Sequence, residues 1–97
     1  MIQVRQTVVF RDWMARLVDK RAVERTQRIV RLEGGLFGDA RSVGGGVSEL
    51  RIDYGPGYRV YFMRQGMAIV VLLCGGDKGG QARDIRAAKA LAANLED

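Results

Sequence analysis

Two alternating segments around one tight turn constrain the fold of this chain most. Residues 49–54 place Leu50 and Ile52 on one side of an extended backbone and Glu49 and Arg51 on the other, and residues 58–63 alternate in the same way. The sequence Tyr-Gly-Pro-Gly at 54–57 lies between them. Glycine tolerates positive φ and proline fixes φ near a turn value, so this stretch predicts a turn. The whole pattern predicts a β-hairpin with one apolar and one polar face.

The polar face of the predicted hairpin carries Arg51, Arg59 and Tyr61. When the rest of a protein covers one face of a sheet, the other face lies in water. We therefore expect these three side chains to be exposed, where an anionic ligand can reach them. The alternative is that the arginines only form cross-strand ion pairs with Glu49 or Asp53.

Size and charge narrow the class of protein. The chain has 97 residues, of which 47% are hydrophobic, enough for one modest core and a single domain spanning 1–97. Its net charge of +5 favours an acidic partner, either nucleic acid or an acidic protein. No apolar run approaches the ~20 residues of a membrane span, and the N-terminus lacks the apolar core of a signal peptide. We expect a cytoplasmic protein that does not enter a membrane.

Two residue types restrict the chemistry that the chain can perform. Histidine is absent, which excludes an imidazole acid, base or metal ligand, and the single Cys74 excludes an internal disulfide. Cys74 ends an apolar segment and is expected to be a small core residue. No cluster of cysteine, histidine and carboxylate residues predicts a metal site, and no cofactor is expected.

Hydrophobic periodicity predicts three helices. The first spans about 7–18 with Thr7 as its N-cap, and the second runs from about residue 20 to residue 33 with Asp19 as its cap. Gly34 and Gly35 end the second helix, so the two are expected to form a helical hairpin. The third helix is predicted at 81–95.

Short alternating or apolar runs predict the strands besides the hairpin. Residues 1–6 alternate weakly, and the glycine-rich segment 36–46 has room for a short strand around 40–43. The unbroken apolar run 67–74 predicts an interior strand that is buried on both faces. The predicted order is β-α-α-β-β-β-α.

Three stretches carry a family resemblance. They are Gly-Val-Ser-Glu-Leu-Arg at 46–51, Tyr-Gly-Pro-Gly-Tyr-Arg-Val-Tyr-Phe at 54–62 and Leu-Leu-Cys-Gly-Gly-Asp-Lys at 72–78, with weaker agreement at 35–39, at Gln81 and at Asp84-Ile85. On these residues the chain resembles the RelE/ParE toxin superfamily of bacterial toxin-antitoxin systems, in its HigB-like, addiction module killer branch. The resemblance implies an α+β domain whose helical hairpin packs on one face of a mostly antiparallel sheet. It also implies a cognate antitoxin, which often carries a helix-turn-helix.

The resemblance leaves more than one function open. Ribosome-dependent members of the superfamily cut mRNA in the ribosomal A site, and we expect this chain to be such an endonuclease. ParE-type members instead inhibit DNA gyrase without cutting RNA, which is the first alternative. The second is an inactive module that only binds the antitoxin.

RNA cleavage by the adjacent 2′-hydroxyl requires alignment, stabilisation of charge on the phosphate, and proton transfer. Arg51 and Arg59 are expected to stabilise that charge, because a guanidinium holds two phosphate oxygens and stays protonated. By resemblance they match basic positions of ribonuclease members, as does Lys78, which is expected to bind phosphate or neutralise the leaving group. Tyr61 is expected to assist by stacking on a base. Replacing Arg59 by alanine is expected to abolish growth arrest and leave the fold intact.

The sequence offers only weak candidates for the acid-base groups and for further RNA contacts. The chain lacks the final-helix tyrosine and the Asp-Tyr-His ending of some active members, which leaves Glu49, Asp53, Asp77 and Tyr61 as substitutes. The second helix carries basic residues that contact either the antitoxin or ribosomal RNA, or that form an ordinary solvated face, namely Arg21, Arg25 and Arg28. The glycine-rich turn at 75–80 is either an anion-binding loop or a plain connection.

Overall fold

The computed structural model describes residues 3–17, 20–21, 23–24, 26, 40–52, 55 and 57–95. Within these residues, five strands and two helices have defined bounds. The strands are β1 (Gln3–Gln6), β2 (Arg41–Gly44), β3 (Val47–Arg51), β4 (Arg59–Gln65) and β5 (Ile69–Gly76), and the helices are α1 (Val8–Arg16) and α2 (Gln81–Leu95). A 3-10 turn at Lys78–Gly80 leads from β5 into α2. No described helix is long and apolar enough to cross a membrane.

The strands form one sheet in the order β1-β5-β4-β3-β2. The pairs β2–β3, β3–β4 and β4–β5 are antiparallel, and β1 alone among them runs parallel to its neighbour β5. Leu50 pairs with Val60 and Arg51 with Arg59, which is the predicted hairpin. Gly55 and Gly57 have φ of 66° and 78°, values that a residue with a side chain rarely adopts. The predicted α+β class with a mostly antiparallel sheet is confirmed.

Two strand predictions from weaker signals are also confirmed. The glycine-rich segment contributes β2, so four strands follow the helical region where the predicted order had three. β5 lies inside the sheet between β1 and β4, and residues 70–74 are buried, as the apolar run predicted.

The first helix begins at the predicted cap. The Thr7 hydroxyl oxygen accepts a hydrogen bond from the Phe10 amide at 3.0 Å and donates one to the Leu73 carbonyl at 2.6 Å. This side chain therefore both caps α1 and ties its start to β5. Phe10 is fully buried and anchors the apolar cluster between α1 and the sheet, which contains Phe10, Leu50, Ile52, Val60, Phe62, Val70 and Leu72.

Much of the predicted second helix lies outside the described residues. Residues 20, 21, 23, 24 and 26 are helical, as predicted, and Arg21 is exposed. Asp19, Arg25 and Arg28, as well as the predicted strand residues Asp53 and Tyr54, are outside the description.

The expectation that the sheet has one open face is wrong. α2 packs on the face opposite α1 and buries a second apolar cluster of Val47, Tyr61, Met63, Val71, Leu73, Cys74, Ala88 and Ala92. Ala88 and Ala92 are 0% and 1% exposed, and these small side chains let the helix axis approach the strands closely. Helices therefore cover both faces of the sheet.

Candidate functional site

The covering helix changes the environment of two predicted site residues. Arg59 is 5% exposed and Tyr61 is 0% exposed, because both lie on the face under α2. Their predicted exposure is therefore wrong. Arg51 and Lys78, in contrast, are exposed as expected.

Arg59 lies in a buried polar network with Glu49 at its centre. The Arg59 Nε lies 3.3 Å from Glu49 Oε1, and the exposed Arg41 places its own Nε at 3.3 Å from the same oxygen. Gln81 Nε2 donates to the other carboxylate oxygen at 2.8 Å. The cross-strand pairing offered as the alternative is thus present for Arg59, and the network joins β2, β3, β4 and α2.

The network makes Glu49 and Tyr61 poor groups for proton transfer. Burial opposes ionisation of Glu49, but the hydrogen bond from Gln81, the nearby Tyr61 hydroxyl and the charges of Arg59 and Arg41 outweigh it and lower its pKa. Burial and the neighbouring Glu49 charge raise the pKa of Tyr61 far above its ordinary value. The Tyr61 hydroxyl faces Glu49 without a hydrogen bond of good geometry to any described residue. Neither group gains or loses a proton readily near neutral pH.

The three predicted cations nevertheless meet at one end of the sheet. Arg51 and Arg59 are register partners, and Arg59 Nη1 donates to the Gly57 carbonyl at 3.4 Å. A Cβ placed on Gly57 would lie 3.5 Å from the Lys78 Cβ. Arg51 and Lys78 are therefore exposed on either side of the buried Arg59.

A solvent-open cleft of about 430 Å³ lies beside this cationic end, at the carboxyl end of β5. It lies between α1 and the start of α2, and its lining consists of Trp13, Arg16, Leu17, Tyr58, Gly75, Gly76, Asp77, Arg83 and Asp84. The two glycines are necessary for its shape. A Cβ on Gly75 would overlap the Trp13 indole, and a Cβ on Gly76 would overlap the Asp84 carboxylate.

Charges of both signs face this cleft. Arg83 is 79% exposed in its side chain, and its Nε lies 3.8 Å from Oδ1 of Asp84, which is only 16% exposed. Burial raises the pKa of Asp84; Arg83 opposes that change and Asp77 adds to it. Asp77 itself accepts a hydrogen bond from the Gly79 amide at 2.9 Å. Because a carboxylate of the chain already holds this amide, the plain connection is favoured over an anion-binding loop.

Three lining residues, Arg16, Arg83 and Asp84, were absent from the predicted site. Asp84 had a signal in the sequence, since Asp84-Ile85 is part of the family resemblance, but nothing there gave it a role. The arginines resembled any solvated helix residue. Cys74 is buried as predicted, and burial together with Asp84 raises its pKa to about 11. Among the described residues, no group of three or more potential ligands could hold a metal ion.

Comparison with known proteins places this α+β domain in a family. No family model matches the chain. It is 50% identical over 95 residues to an uncharacterized protein of Haemophilus influenzae, and the match covers 97% of this chain and 96% of the relative. The chain belongs to the same family as that protein.

Proposed function

We propose that this protein is a toxin of the RelE/ParE superfamily, in the HigB-like branch, that cuts mRNA on the ribosome. It would act in the cytoplasm and be held inactive by a cognate antitoxin with a helix-turn-helix. The observation that carries the proposal is the pair of open cations, Arg51 and Lys78, at the sheet end formed by two of the resembling stretches. On this proposal the sheet is of RelE/ParE type, with β2 as an added edge strand.

The open cations would contact phosphates on either side of the bond that is cut. Both are exposed, and each can place a positive charge beside a phosphate without losing a partner in the described ion pairs. Such charges are worth most in the transition state, when negative charge builds up on the phosphate. Arg51 adds a guanidinium that can hold two oxygens, and Lys78 adds a point charge.

Arg59 and Tyr61 take different roles from those that the sequence suggested. Arg59 is engaged by Glu49 and by the Gly57 carbonyl, so it would hold Gly57 in place between the two open cations. Tyr61 is fully buried and would not stack on a base. Arg21 is exposed, as an RNA contact would require.

One observation favours the alternative function, inhibition of DNA gyrase without catalysis. The groups expected to assist the reaction, Arg59 and Tyr61, are both buried. A non-enzymatic inhibitor needs only an accessible binding surface, which the exposed cations would supply.

Programmed ribosomes and a 5′-labelled mRNA would test the proposal directly. We expect the wild-type protein to cut the mRNA in the A-site codon, and the double variant Arg51→Ala, Lys78→Ala to cut at least ~100-fold more slowly. Arg5→Ala is the matched control, since Arg5 is an exposed arginine on the edge strand β1. It removes one positive charge and should leave the rate within ~2-fold of wild type, as a surface change away from the site.

Failure of the wild-type protein to cut would contradict the proposal. Growth arrest together with loss of gyrase supercoiling activity would then support the ParE-type alternative. Expression without any growth effect would support the inactive, antitoxin-bound module.

A further inference from the structure

We propose that Asp84 is the proton acceptor of the cleavage reaction and that the cleft it lines holds the sugar and phosphate at the bond that is cut. This inference rests on the proposed ribonuclease function. Asp84 would supply the base that Glu49 and Tyr61 cannot, because both of those residues are buried in the network under α2.

The backbone around Asp84 leaves space for its carboxylate. A Cβ on Gly76 would overlap the carboxylate, and a Cβ on Gly80 would lie 3.1 Å from Oδ2. Side chains at these two positions would fill the place that the carboxylate occupies. The carboxylate is thus held between β5 and the start of α2 while it still lines the open cleft.

Cationic groups reach the same cleft from two elements. Arg16 comes from α1 and Arg83 from α2, and both line the cleft. Lys78 is exposed in the turn beside Asp77, at the border of the cleft. A phosphate in the cleft would therefore find positive charge from both helices, which compensates the repulsion from the two carboxylates.

Other groups on β4, β5 and the helices also lie near Asp84. Asp77 raises the pKa of Asp84, whereas Arg83 lowers it. On β5, the protonated thiol of Cys74 donates from Sγ to the Asp84 carbonyl at 3.8 Å. On β4, the charge of Asp84 helps to raise the pKa of Tyr61, which stays neutral. The aromatic pair Trp13 and Tyr58 forms the apolar wall, with ring centroids 6.2 Å apart.

The reaction balances without a cofactor. The Asp84 carboxylate takes the proton of the 2′-hydroxyl, whose oxygen forms a bond to the adjacent phosphorus. The bond from phosphorus to the 5′-oxygen breaks, which leaves a 2′,3′-cyclic phosphate. The departing 5′-oxygen takes a proton from water, and Asp84 returns its own proton to the solvent.

Burial gives Asp84 a property that suits this role. A carboxylate with a raised pKa is a stronger base than an ordinary one. The same shift means that ionised Asp84 is less favourable in the folded chain than in the unfolded one. A carboxylate placed near a helix start only for stability would show the opposite, a lowered pKa.

The variant Asp84→Asn tests the inference because it keeps the shape of the side chain and removes the proton acceptor. On programmed ribosomes we expect its single-turnover cleavage rate to fall at least ~100-fold, the usual lower limit for loss of a general base. Its thermal unfolding temperature should be equal to or above that of wild type, and its binding to ribosomes unchanged. Asp12→Asn, on the exposed side of α1, is the matched control and should cut at the wild-type rate.

The pH dependence separates proton transfer from a structural effect. The wild-type rate should rise with pH through the raised pKa of Asp84 and then level off, and this rise should be absent from the residual activity of Asp84→Asn. Asp84→Glu keeps a carboxylate and should keep the rise at a lower rate. It therefore preserves the test if Asp84→Asn does not fold.

Two results would overturn the inference while the proposed function stands. One is an Asp84→Asn protein that cuts mRNA as fast as wild type, and the other is a slow variant that keeps the wild-type rise with pH. A wild-type protein that does not cut mRNA at all would overturn the proposed function and this inference together.

Discussion

The two faces of the sheet are stabilised in different ways. The face under α1 is apolar in its buried cluster, where Phe10 meets residues such as Phe62 and Leu72. The face under α2 combines an apolar cluster with the buried polar residues Glu49 and Arg59. Both faces come from the same alternating strands, so the difference depends on which residues stand at odd and even positions.

The comparison shows that burial serves two ends in one small domain. On the α1 face it removes apolar area from water, which stabilises the fold without fixing a unique partner for any side chain. On the α2 face each buried polar group needs a particular partner, which fixes how the helix sits on the sheet. The candidate site is built where these two faces meet, at the carboxyl end of β5.

The largest effect should come from the apolar face. Phe62→Ala removes a ring that is 2% exposed, and we expect the free energy of unfolding to fall by ~3–5 kcal/mol through lost burial and the cavity that remains. Chemical denaturation of purified variants would measure this loss. A loss under 1 kcal/mol would mean that the α1 face is not the main source of stability.

Breaking the ion pair on the other face should cost nearly as much. Arg59→Met leaves Glu49 buried without its nearest buried cation, and we expect a loss of ~3 kcal/mol, towards the low end for buried pairs because Arg41 and Gln81 remain. Because Arg59 is buried, we now expect removal of its side chain to destabilise the fold, in place of the intact fold that the sequence suggested. Adding Glu49→Gln should restore ~1–2 kcal/mol in a double-mutant cycle. Strictly additive losses would show that the two side chains do not interact.

The junction of the two faces can be tested at β5. Gly75→Ala would place a methyl group against the rigid Trp13 indole, and we expect a loss of ~1–3 kcal/mol from overpacking. Gly79→Ala is the control, because its nearest contact is the Asp77 carboxylate at 3.3 Å, the end of an exposed side chain that can move. Equal unfolding temperatures for the two variants would argue against close packing of α1 on β5.

The polar network should also give the stability a pH dependence. The pKa of Glu49 is lowered from 4.5 in the folded protein, so the stabilisation is complete above about that pH and is lost as the pH falls through the folded value. The gap in unfolding temperature between wild type and Glu49→Gln should therefore be widest near neutral pH and close under acidic conditions. A gap that stays constant from pH 2 to pH 7 would contradict a charged Glu49 in the network.

The smallest effect is expected inside the same network. Tyr61→Phe removes a hydroxyl that makes no hydrogen bond of good geometry with the described residues, so we expect a change below ~0.5 kcal/mol. Denaturation curves for this variant and wild type should nearly coincide. A loss of more than ~1.5 kcal/mol would show that the Tyr61 hydroxyl holds Glu49 more firmly than its geometry indicates.

The local elements were predictable because short-range patterns determine them. The alternation of residues 49–63 predicted the hairpin, Thr7 predicted the start of α1, and the apolar run predicted the interior strand β5. Only part of the candidate site followed in the same way. Arg51 and Lys78 were predicted as exposed cations, whereas nothing in the pattern gave a role to Asp84.

The sequence also held a sign that the second face is covered. Val47 and Met63 alternate with Glu49 and Tyr61 on the strand face that was expected to be polar, and both are buried. These apolar residues would be out of place on an open face. Because most of their neighbours on that face are charged or polar, the sequence predicted that the face is exposed.

By itself, the sequence determined the α+β class, the antiparallel pairing of the hairpin and the helical amphipathicity, because each depends on residues close together in the chain. Only the tertiary structure decided which face α2 covers, which made Arg59 a buried partner of Glu49 and placed Asp84 in an open cleft. An amphipathic helix requires an apolar surface, but its own sequence does not specify which face of a sheet will provide it. That choice depends on contacts between residues far apart in the chain.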